Sequence, residues 1–415
     1  VKVFVETYGC TMNQGEGRQM LAQLAALGHE AVDSAAEADL VVLNTCVVIK
    51  TTEDKMVKRI RELSGQRKNL IVTGCLASAF PDAVVKNAPY AYIMPPGRYG
   101  DFTDLVAANF GGTATPVTLP SEVTAILPIA QGCVGACTYC ITRAARGRLR
   151  SYPEEDILSA ARQHLAGGSQ ELLVTAQDTA CYGFDRGTDL GALLRRLAAL
   201  PGDFRMRVGM MNPNNLARIE GSFVPAWLDK KVYQFIHLPV QSGSDAVLGA
   251  MGRGYHANEV TGLVGRLRDA APEMTLSTDV IAGFPGETDG DHRATVELLR
   301  SIEPDIVNVT RFSPRPGTPA HRARDQVPGW VAKERSRELS RLRLEIAGQR
   351  NAQLVGRTLE VLITERGKGS TMIGRTSAYK PVVISRPLPL GTIVSARITA
   401  SAPTHLFGRV EDRAQ

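Results

Sequence analysis

The chain has 415 residues, 44% hydrophobic and 22% charged, enough for two or three domains at about 150 residues each and unlike a disordered or collagen-like polymer. No apolar run approaches the roughly 18 residues of a membrane span, and residues 1–7 alternate like a strand and lack the apolar core of a signal peptide, so a cytoplasmic setting without a membrane partner is expected. The net charge of +6 is concentrated: residues 350–415 hold ten Lys/Arg against four Asp/Glu, while the residues before them carry 38 of each sign, as a small basic module appended to a neutral body would.

Residues 3–7 are predicted as a strand and 15–27 as an amphipathic helix, with Met20, Leu21, Leu24 and Leu27 at helical spacing. Residues 39–44 read as a buried strand, 52–63 as a charged helix, 69–73 as a third strand and 92–94 as a fourth. This alternation implies a parallel sheet covered on both faces. Cys10, Cys46 and Cys75, at intervals of 36 and 29, each fall just past the C-terminal end of a strand. Open parallel sheets bind ligands along that edge, so three thiols distant in sequence are expected to meet at one site. Residues 111–122, rich in Gly, Thr and Pro, read as a linker.

Strand patterns then recur at 126–130, 171–175, 206–209, 235–240, 276–281 and 306–310, with helical patterns at 154–166, 189–200, 258–270 and 291–302. Six such units are too few for an eight-fold barrel and predict a partial (βα)6 barrel. Its working face is expected at the strand ends: the Cys133 loop, Gln177-Asp178, Asn212, Gln241-Ser242, Gly283-Phe284 and Phe312-Ser313. Residues 333–350 are predicted as a solvated connecting helix with Leu339, Leu342 and Ile346 as its apolar stripe. Five short strand patterns follow, at 358–364, 371–376, 381–385, 392–399 and 406–410, and suggest a small β-barrel. The α/β chain is therefore divided into an N-terminal open-sheet domain at 1–112, a linker at 113–124, a central domain at 125–349 and a C-terminal barrel at 350–413.

Seven cysteines in a reducing compartment do not read as a disulfide scaffold. The strongest signal is Gly132-Cys133-Val134-Gly135-Ala136-Cys137-Thr138-Tyr139-Cys140. A structural zinc wants four protein ligands, and the next Cys or His after this run, His164, is expected within a helix. A four-iron cube can be held by three thiolates, leaving one iron open for a small molecule. The order C-x3-C-x2-C with an aromatic before the last Cys is that of the radical S-adenosylmethionine (SAM) enzymes.

The run Leu127-Pro128-Ile129-Ala130-Gln131-Gly132-Cys133 through Cys137-Thr138-Tyr139-Cys140-Ile141-Thr142, closing at Arg146-Gly147, resembles the signature of the radical SAM methylthiotransferases, which insert a CH3–S group. The family's strand-end cysteines match Tyr8-Gly9-Cys10-Thr11-Met12-Asn13, Asn44-Thr45-Cys46 and Thr73-Gly74-Cys75, and its small RNA-binding barrel, TRAM, matches the basic tail from about Asn351. The resemblance covers essentially the whole chain in the expected order. Thr175-Ala176-Gln177-Asp178-Thr179-Ala180-Cys181-Tyr182-Gly183 and Val208-Gly209-Met210-Met211-Asn212-Pro213-Asn214 look most like the archaeal branch and its eukaryotic relatives. Members of that branch place methylthio on carbon 2 of threonylcarbamoyladenosine at position 37, beside the tRNA anticodon.

The resemblance implies two 4Fe–4S clusters and SAM. The Cys133/Cys137/Cys140 cluster would chelate SAM and split it to a 5′-deoxyadenosyl radical that removes hydrogen from the target carbon. A second cluster on Cys10, Cys46 and Cys75 would carry the sulfur, which another SAM methylates. Around SAM, Tyr139 is expected near the adenine, Gln177 and Asp178 at the amino group, and Gln241 and Ser242 along the ribose. Gly283 and Phe284 form a tight turn where glycine lets backbone approach a ligand. Expected partners are the tRNA anticodon stem-loop, an electron donor and a sulfur donor. Arg366, Lys368, Arg375, Lys380 and Arg386 are expected to neutralise phosphates. Cys181 reads as a buried neutral thiol and His237 as a satisfied structural histidine. The alternatives are the same chemistry on isopentenyladenosine in tRNA or on a ribosomal-protein aspartate and, in another class, an iron–sulfur RNA-binding or electron-transfer protein without SAM chemistry. The basic tail favours RNA.

Overall fold

The computed structural model describes residues 1–113, 115, 117 and 122–411. Part of the predicted linker, and the last two residues of the predicted 350–413 domain, lie outside the described residues. The N-terminal third is built from β1 (Lys2–Thr7), α1 (Thr11–Ala26), β2 (Glu30–Ala31), β3 (Leu40–Thr45), α2 (Lys50–Gly65), β4 (Asn69–Gly74), α3 (Cys75–Ala79), α4 (Pro81–Asn87), β5 (Tyr92–Met94) and α5 (Phe102–Phe110). Its strands pair in parallel in the order β2-β1-β3-β4-β5. Every residue of β3 is buried, because α2 covers one face with Met56, Ile60 and Leu63 while Met20, Leu24 and Phe102 cover the other. Helix α1 starts at Thr11, earlier than predicted, with Cys10 at its N-cap. Gly15 of α1 allows close packing on the next domain: a Cβ there would lie 2.7 Å from Ile126 Cγ2.

The central domain runs through β6 (Thr124–Pro128), β7 (Ala130–Gln131), α6 (Thr142–Arg146), β8 (Arg150–Ser151), α7 (Glu154–Ala166), β9 (Glu171–Thr175), α8 (Leu190–Ala198), β10 (Arg205–Val208), α9 (Pro213–Trp227), β11 (Phe235–His237), α10 (Asp245–Ala250), α11 (Ala257–Ala270), β12 (Thr275–Ala282), α12 (Asp289–Ile302) and β13 (Ile306–Arg311). Two parallel sheets, β6-β9-β10 and β11-β12-β13, follow chain order and meet at the Met206–Val232 bridge. They form the partial (βα)6 barrel. The antiparallel pair β7–β8 brackets the Cys133 loop. The strand predicted at 235–240 ends at His237, since Pro239 has no N–H to donate; pairing resumes at Gln241–Val280. Helix α9 is not among the predicted elements; Pro213 occupies its first turn, where the missing N–H costs nothing.

Helix α13 (Gly329–Ala352) leads into β14 (Thr358–Arg366), β15 (Met372–Thr376), β16 (Pro381–Ile384), β17 (Ile393–Ala402) and β18 (His405–Val410). These strands close a barrel around Val361, Ile363, Val382, Ile384, Ala396 and Leu406. It sits on the N-terminal ends of the central strands. There the Gln234 N–H donates to the Ser377 carbonyl at 2.9 Å, Arg205 pairs with Glu360 at 2.6 Å, and Asp305 accepts from both Lys380 at 2.6 Å and Arg350 at 2.7 Å.

At its other end α13 packs on the turn after β12. Gly283 has φ +76°, and a Cβ there would lie 2.4 Å from Ala332 Cβ. The glycine is thus required by helix packing, not only by the ligand approach expected from sequence. Gly283→Ala is expected to lower the unfolding free energy by about 2 kcal/mol or more, from the left-handed backbone and overpacking together. Gly221→Ala, in a helix with nothing within 4 Å of its Cβ, should be neutral or stabilising. Denaturant unfolding of the two variants checks the contrast.

Candidate functional site

The first cysteine trio lies on the carboxyl edge of the N-terminal sheet, where β1, β3 and β4 are followed by Cys10, Cys46 and Cys75. The loops touch. A Cβ on Gly9 would lie 2.9 Å from Cys46 Cβ and 3.2 Å from its Sγ, and one on Gly74 would lie 2.3 Å from the Thr45 carbonyl oxygen. Asn13 stitches them by donating from Nδ2 to the carbonyls of Tyr8 and Thr45, each at 2.9 Å. Asn44 in turn donates to the Asn13 carbonyl at 2.9 Å, and the Leu76 N–H donates to Thr45 Oγ1 at 3.1 Å. Cys10 is exposed while Cys46 and Cys75 are buried. Burial raises the Cys46 pKa and pushes that of Cys75 up to about 11, against the lowering influence of Arg146.

The second trio sits on the loop after β6. Gly132 (φ +80°) turns the chain where a Cβ would meet the Arg148 carbonyl oxygen at 2.1 Å, and its N–H donates to Gln177 Oε1 at 2.7 Å. Backbone N–H groups point at sulfur: Gly135 to Cys133 at 3.2 Å and Thr142 to Cys140 at 3.4 Å. The far side of the loop is held by Thr138, whose N–H donates to the Met251 carbonyl at 3.0 Å and whose hydroxyl donates to that of Ala250 at 2.8 Å. Burial pushes Cys133 up to about 11 and raises Cys137. Cys181 packs fully buried, its thiol donating to the Asp178 carbonyl at 3.0 Å, and burial raises its pKa.

The two trios are joined by Arg146, at the end of the short helix that follows Cys140. Its guanidinium is buried in the N-terminal domain. It pairs with both oxygens of Glu16, one at 2.9 Å, and donates to Asn13 Oδ1 at 2.8 Å and to the Cys75 sulfur at 3.3 Å. Ile141 and Ala145, on the same segment, complete the apolar core beneath the N-terminal sheet. A second buried pair, Arg315–Glu53, closes the seam from the opposite rim. Sequence reasoning quoted Arg146 and Asn13 inside motifs without giving them a role, and Glu16 not at all. A carboxylate on an otherwise core-facing stretch of helix was the available signal.

The residues expected around SAM divide into two groups. Tyr139 and Phe284 lie at the barrel mouth as an edge-to-face pair with centroids 6.2 Å apart, extended by Phe312 at 5.4 Å. Asp178 and Ser242 are instead committed to scaffolding. Asp178 accepts from Ala180 N, Asn212 N and Asn215 Nδ2 at 3.2, 3.1 and 2.7 Å, and burial raises its pKa although these donors oppose it. Ser242, also buried, meets Thr295 Oγ1 at 3.3 Å and accepts from Ser244 N at 3.2 Å. Gln241 holds φ +68° at the resumed strand pairing. His237 meets Asp279 at 3.0 Å; burial alone would raise the Asp279 carboxyl, but His237 and Asn308 hold it below its ordinary value. Arg253 was not anticipated. It lies in the field of Tyr255, Tyr139, Cys137 and Cys140, which outweigh the lowering effect of its burial, and its buried Nε has no partner.

The donor sets fit iron–sulfur cubes. Each trio offers three thiols, the Cys133 loop aims N–H groups at sulfur, and Gly135 leaves open space where a Cβ would stand 3.4 Å from Cys133 Sγ. Among the described residues no group of three His, Cys, Asp or Glu side chains is arranged to hold a single metal ion. His164 lies away from both trios and lines a cavity of about 550 Å³ between α1 and α7 that contains none of the cysteines.

The chain matches the uncharacterized protein family UPF0004 over residues 2–95, the radical SAM superfamily over 127–299 and the TRAM domain over 352–410. It is 42% identical to a probable threonylcarbamoyladenosine tRNA methylthiotransferase of Pyrococcus horikoshii over 99% of each chain. It is 32% identical to the threonylcarbamoyladenosine tRNA methylthiotransferase of Homo sapiens, covering 98% of this chain and 74% of that one. Among solved structures it is similar to the radical SAM methyltransferase TsrM of Kitasatospora setae, with TM-score 0.57 and 15% identity over 77% of this chain and 76% of that one, a likeness of fold alone. No helix among the described residues is long and apolar enough to cross a membrane.

Arg146→Gln would leave Glu16 buried without its counter-charge and is expected to cost about 3–5 kcal/mol of unfolding free energy. The apolar double replacement Arg146→Met with Glu16→Leu should recover most of that loss. Denaturant titration of the three proteins measures both; a single variant as stable as the parent would remove the pair from the seam.

Proposed function

The chain belongs to the family of threonylcarbamoyladenosine tRNA methylthiotransferases, and on that premise we propose that it transfers a methylthio group to carbon 2 of threonylcarbamoyladenosine at position 37 of tRNA. The observation that carries the reading is the convergence of two separate cysteine trios on facing strand-end edges, joined through Arg146. An electron-transfer protein has no need of two three-thiol sites facing one another, and against a ribosomal-protein substrate stand the relatives matched over nearly the whole of this chain, which are named threonylcarbamoyladenosine tRNA methylthiotransferases.

We assign residues 1–112, 125–349 and 350–413 to the auxiliary-cluster, radical SAM and RNA-binding domains. Cys133, Cys137 and Cys140 would hold the 4Fe–4S cluster that takes SAM, and Cys10, Cys46 and Cys75 the second. With SAM these clusters supply one-electron chemistry at an unactivated aryl carbon, which acid–base catalysis does not reach easily. The chain's own residues bind, orient and enclose. Tyr139 and Phe284 offer an apolar wall at the barrel mouth, Arg253 a buried cation for the carboxylate end of a zwitterion, and Gln177 and Asp178 hold the loop geometry beneath them. Arg146 fixes the separation of the two trios. The reductant and a source of sulfur must come from partners, and we place the enzyme in the cytoplasm with its tRNA.

Of the cations expected to meet phosphate, Arg366 and Lys368 are exposed on the hairpin between β14 and β15. Arg375 and Lys380 are instead paired with carboxylates, Glu365 at 2.7 Å and Asp305 at 2.6 Å, and are not free for a contact on the outer surface of the barrel. Replacing Arg366 and Lys368 together by Gln is expected to weaken tRNA binding at low salt and to flatten the slope of log affinity against log salt by about one to two; an unchanged slope would take this hairpin out of the contact.

Reconstituted protein incubated with SAM, reductant and tRNA should yield a methylthio-sized mass gain on threonylcarbamoyladenosine in nucleoside mass spectrometry. A gain confined to isopentenyladenosine would overturn the substrate. Replacing Cys133, Cys137 and Cys140 by Ala should abolish 5′-deoxyadenosine formation. Replacing Cys10, Cys46 and Cys75 should preserve it, lose the methylthio product and halve the iron content.

A further inference from the structure

We propose that the interior of the partial barrel, at the end closed by the C-terminal barrel, is a binding site for a phosphate-class anion. A cavity of about 400 Å³ lies between these two modules. It faces the N-terminal ends of the central strands, away from the six cysteines, and plays no part in the chemistry described above.

Three arginines from three elements line it: Arg207 of β10, Arg343 of α13 and Arg375 of β15. Each has a buried Nε without a hydrogen-bond partner. Arg375 is compensated by Glu365, and Arg343 reaches only the Val307 carbonyl at 3.2 Å. Among the described residues the Arg207 side chain has no hydrogen bond and no carboxylate. Its guanidinium rests on two rings, 5.6 Å from the centroid of Tyr379 and 5.9 Å from that of Phe235. Arg375 lies 4.9 Å from the same Tyr379 ring, so two guanidinium groups flank one aromatic side chain whose backbone is held at φ +62°. Thr275, buried on the same wall, carries an unpartnered Oγ1.

The nearby acids are already engaged: Glu171, whose field reaches Arg375 and Tyr379, accepts from the Tyr233 and Thr124 hydroxyls. Asp305, which also lines the cavity, is already shared by Lys380 and Arg350. Arg207 and Arg343 are half-buried, and neither has a carboxylate partner among the described residues, so an anion entering the cavity would meet two unpaired guanidinium groups. A guanidinium presents parallel N–H groups that match two phosphate oxygens, and the Thr275 hydroxyl adds a neutral donor. The cavity volume falls within the range of small-molecule sites, about 300–1,000 Å³. Strained backbone at a position that shapes such a pocket is a usual companion of ligand sites.

The test is isothermal titration of the full-length, cluster-loaded protein with inorganic phosphate at constant ionic strength. Saturable binding is expected, weakened about tenfold or more by Arg207→Gln, less by Arg207→Lys, and not by Lys55→Gln, an exposed cation of the N-terminal domain. Where Arg207→Gln melts well below the parent, Thr275→Val replaces it and should weaken binding several-fold. No binding to the parent, or equal binding by the Arg207 or Thr275 variants, overturns the proposal. Saturating tRNA then identifies the source. Displacement of phosphate by tRNA, with weaker tRNA binding by Arg207→Gln, assigns the site to a backbone phosphate of RNA. Simultaneous binding of phosphate and tRNA assigns it to a free phosphate-bearing molecule. Because the titration uses no turnover, its failure leaves the methylthiotransferase reading untouched, and failure of that reading leaves the anion site standing.

Discussion

A guanidinium buried between both oxygens of Glu16, the Asn13 amide and the Cys75 sulfur holds together two domains that each present three cysteines. Charges are taken out of water at a high desolvation cost, and the arrangement is favourable only when nearly every donor finds a partner. Arginine suits the position because its planar fork serves several acceptors at once, which a lysine ammonium cannot do in the same geometry. Arg146 follows Cys140 by six residues, so a shift of the clamp moves the second trio with it. The Arg315–Glu53 pair and the Gly15–Ile126 contact restrain the same seam at separate points, and together they allow little rotation of one sheet edge against the other.

One property of parallel sheets is used twice. The carboxyl ends of β1, β3 and β4 and the carboxyl end of β6 each release the chain into a loop whose first duty is to place sulfur. Both edges leave backbone groups that need satisfying, and the polar residues beside the cysteines do that work: Asn13, Asn44 and Thr45 on one side, Gln177 and Asp178 on the other. A carboxylate such as Asp178, committed to three donors, keeps the ends of β9 and β10 in register beneath the Cys133 loop. Positioning and binding are therefore divided between side chains that neighbour one another in sequence.

The cysteines were legible because local spacing and strand ends both mark them, and the order of sheets followed from the alternation of periodicities. Legibility stopped wherever a residue's partner lies far along the chain. Arg146 and Glu16 are 130 residues apart and Lys380 and Asp305 are 75 apart, and nothing local signals either pairing. Gly283 reads equally well as a ligand-facing turn and as a contact for a helix some fifty residues on; Ala332 shows which constraint acts. Pro239 illustrates the opposite error: it was read within a strand, and the strand ends before it.

The excess positive charge of the C-terminal module is only partly a surface property. Lys380 is buried against Asp305 and Asn351, its pKa lowered by burial although Asp305 opposes the shift, and Arg350 binds the same carboxylate from α13. Asp305 belongs to the turn before β13, so the charge that marks the tail as a separate basic unit in sequence is what fastens it to the central barrel. Removing the tail as a whole would strip Asp305 of both cations and open the floor of the barrel, confounding loss of an RNA contact with loss of structure. The module is better understood as a cap that completes the barrel and also presents exposed charge, such as Arg366 and Lys368 at the hairpin between β14 and β15. The loop after β6 carries its cysteine trio at one end of the central strands and the charge-sealed cap closes the other, so the six strands set the distance between them.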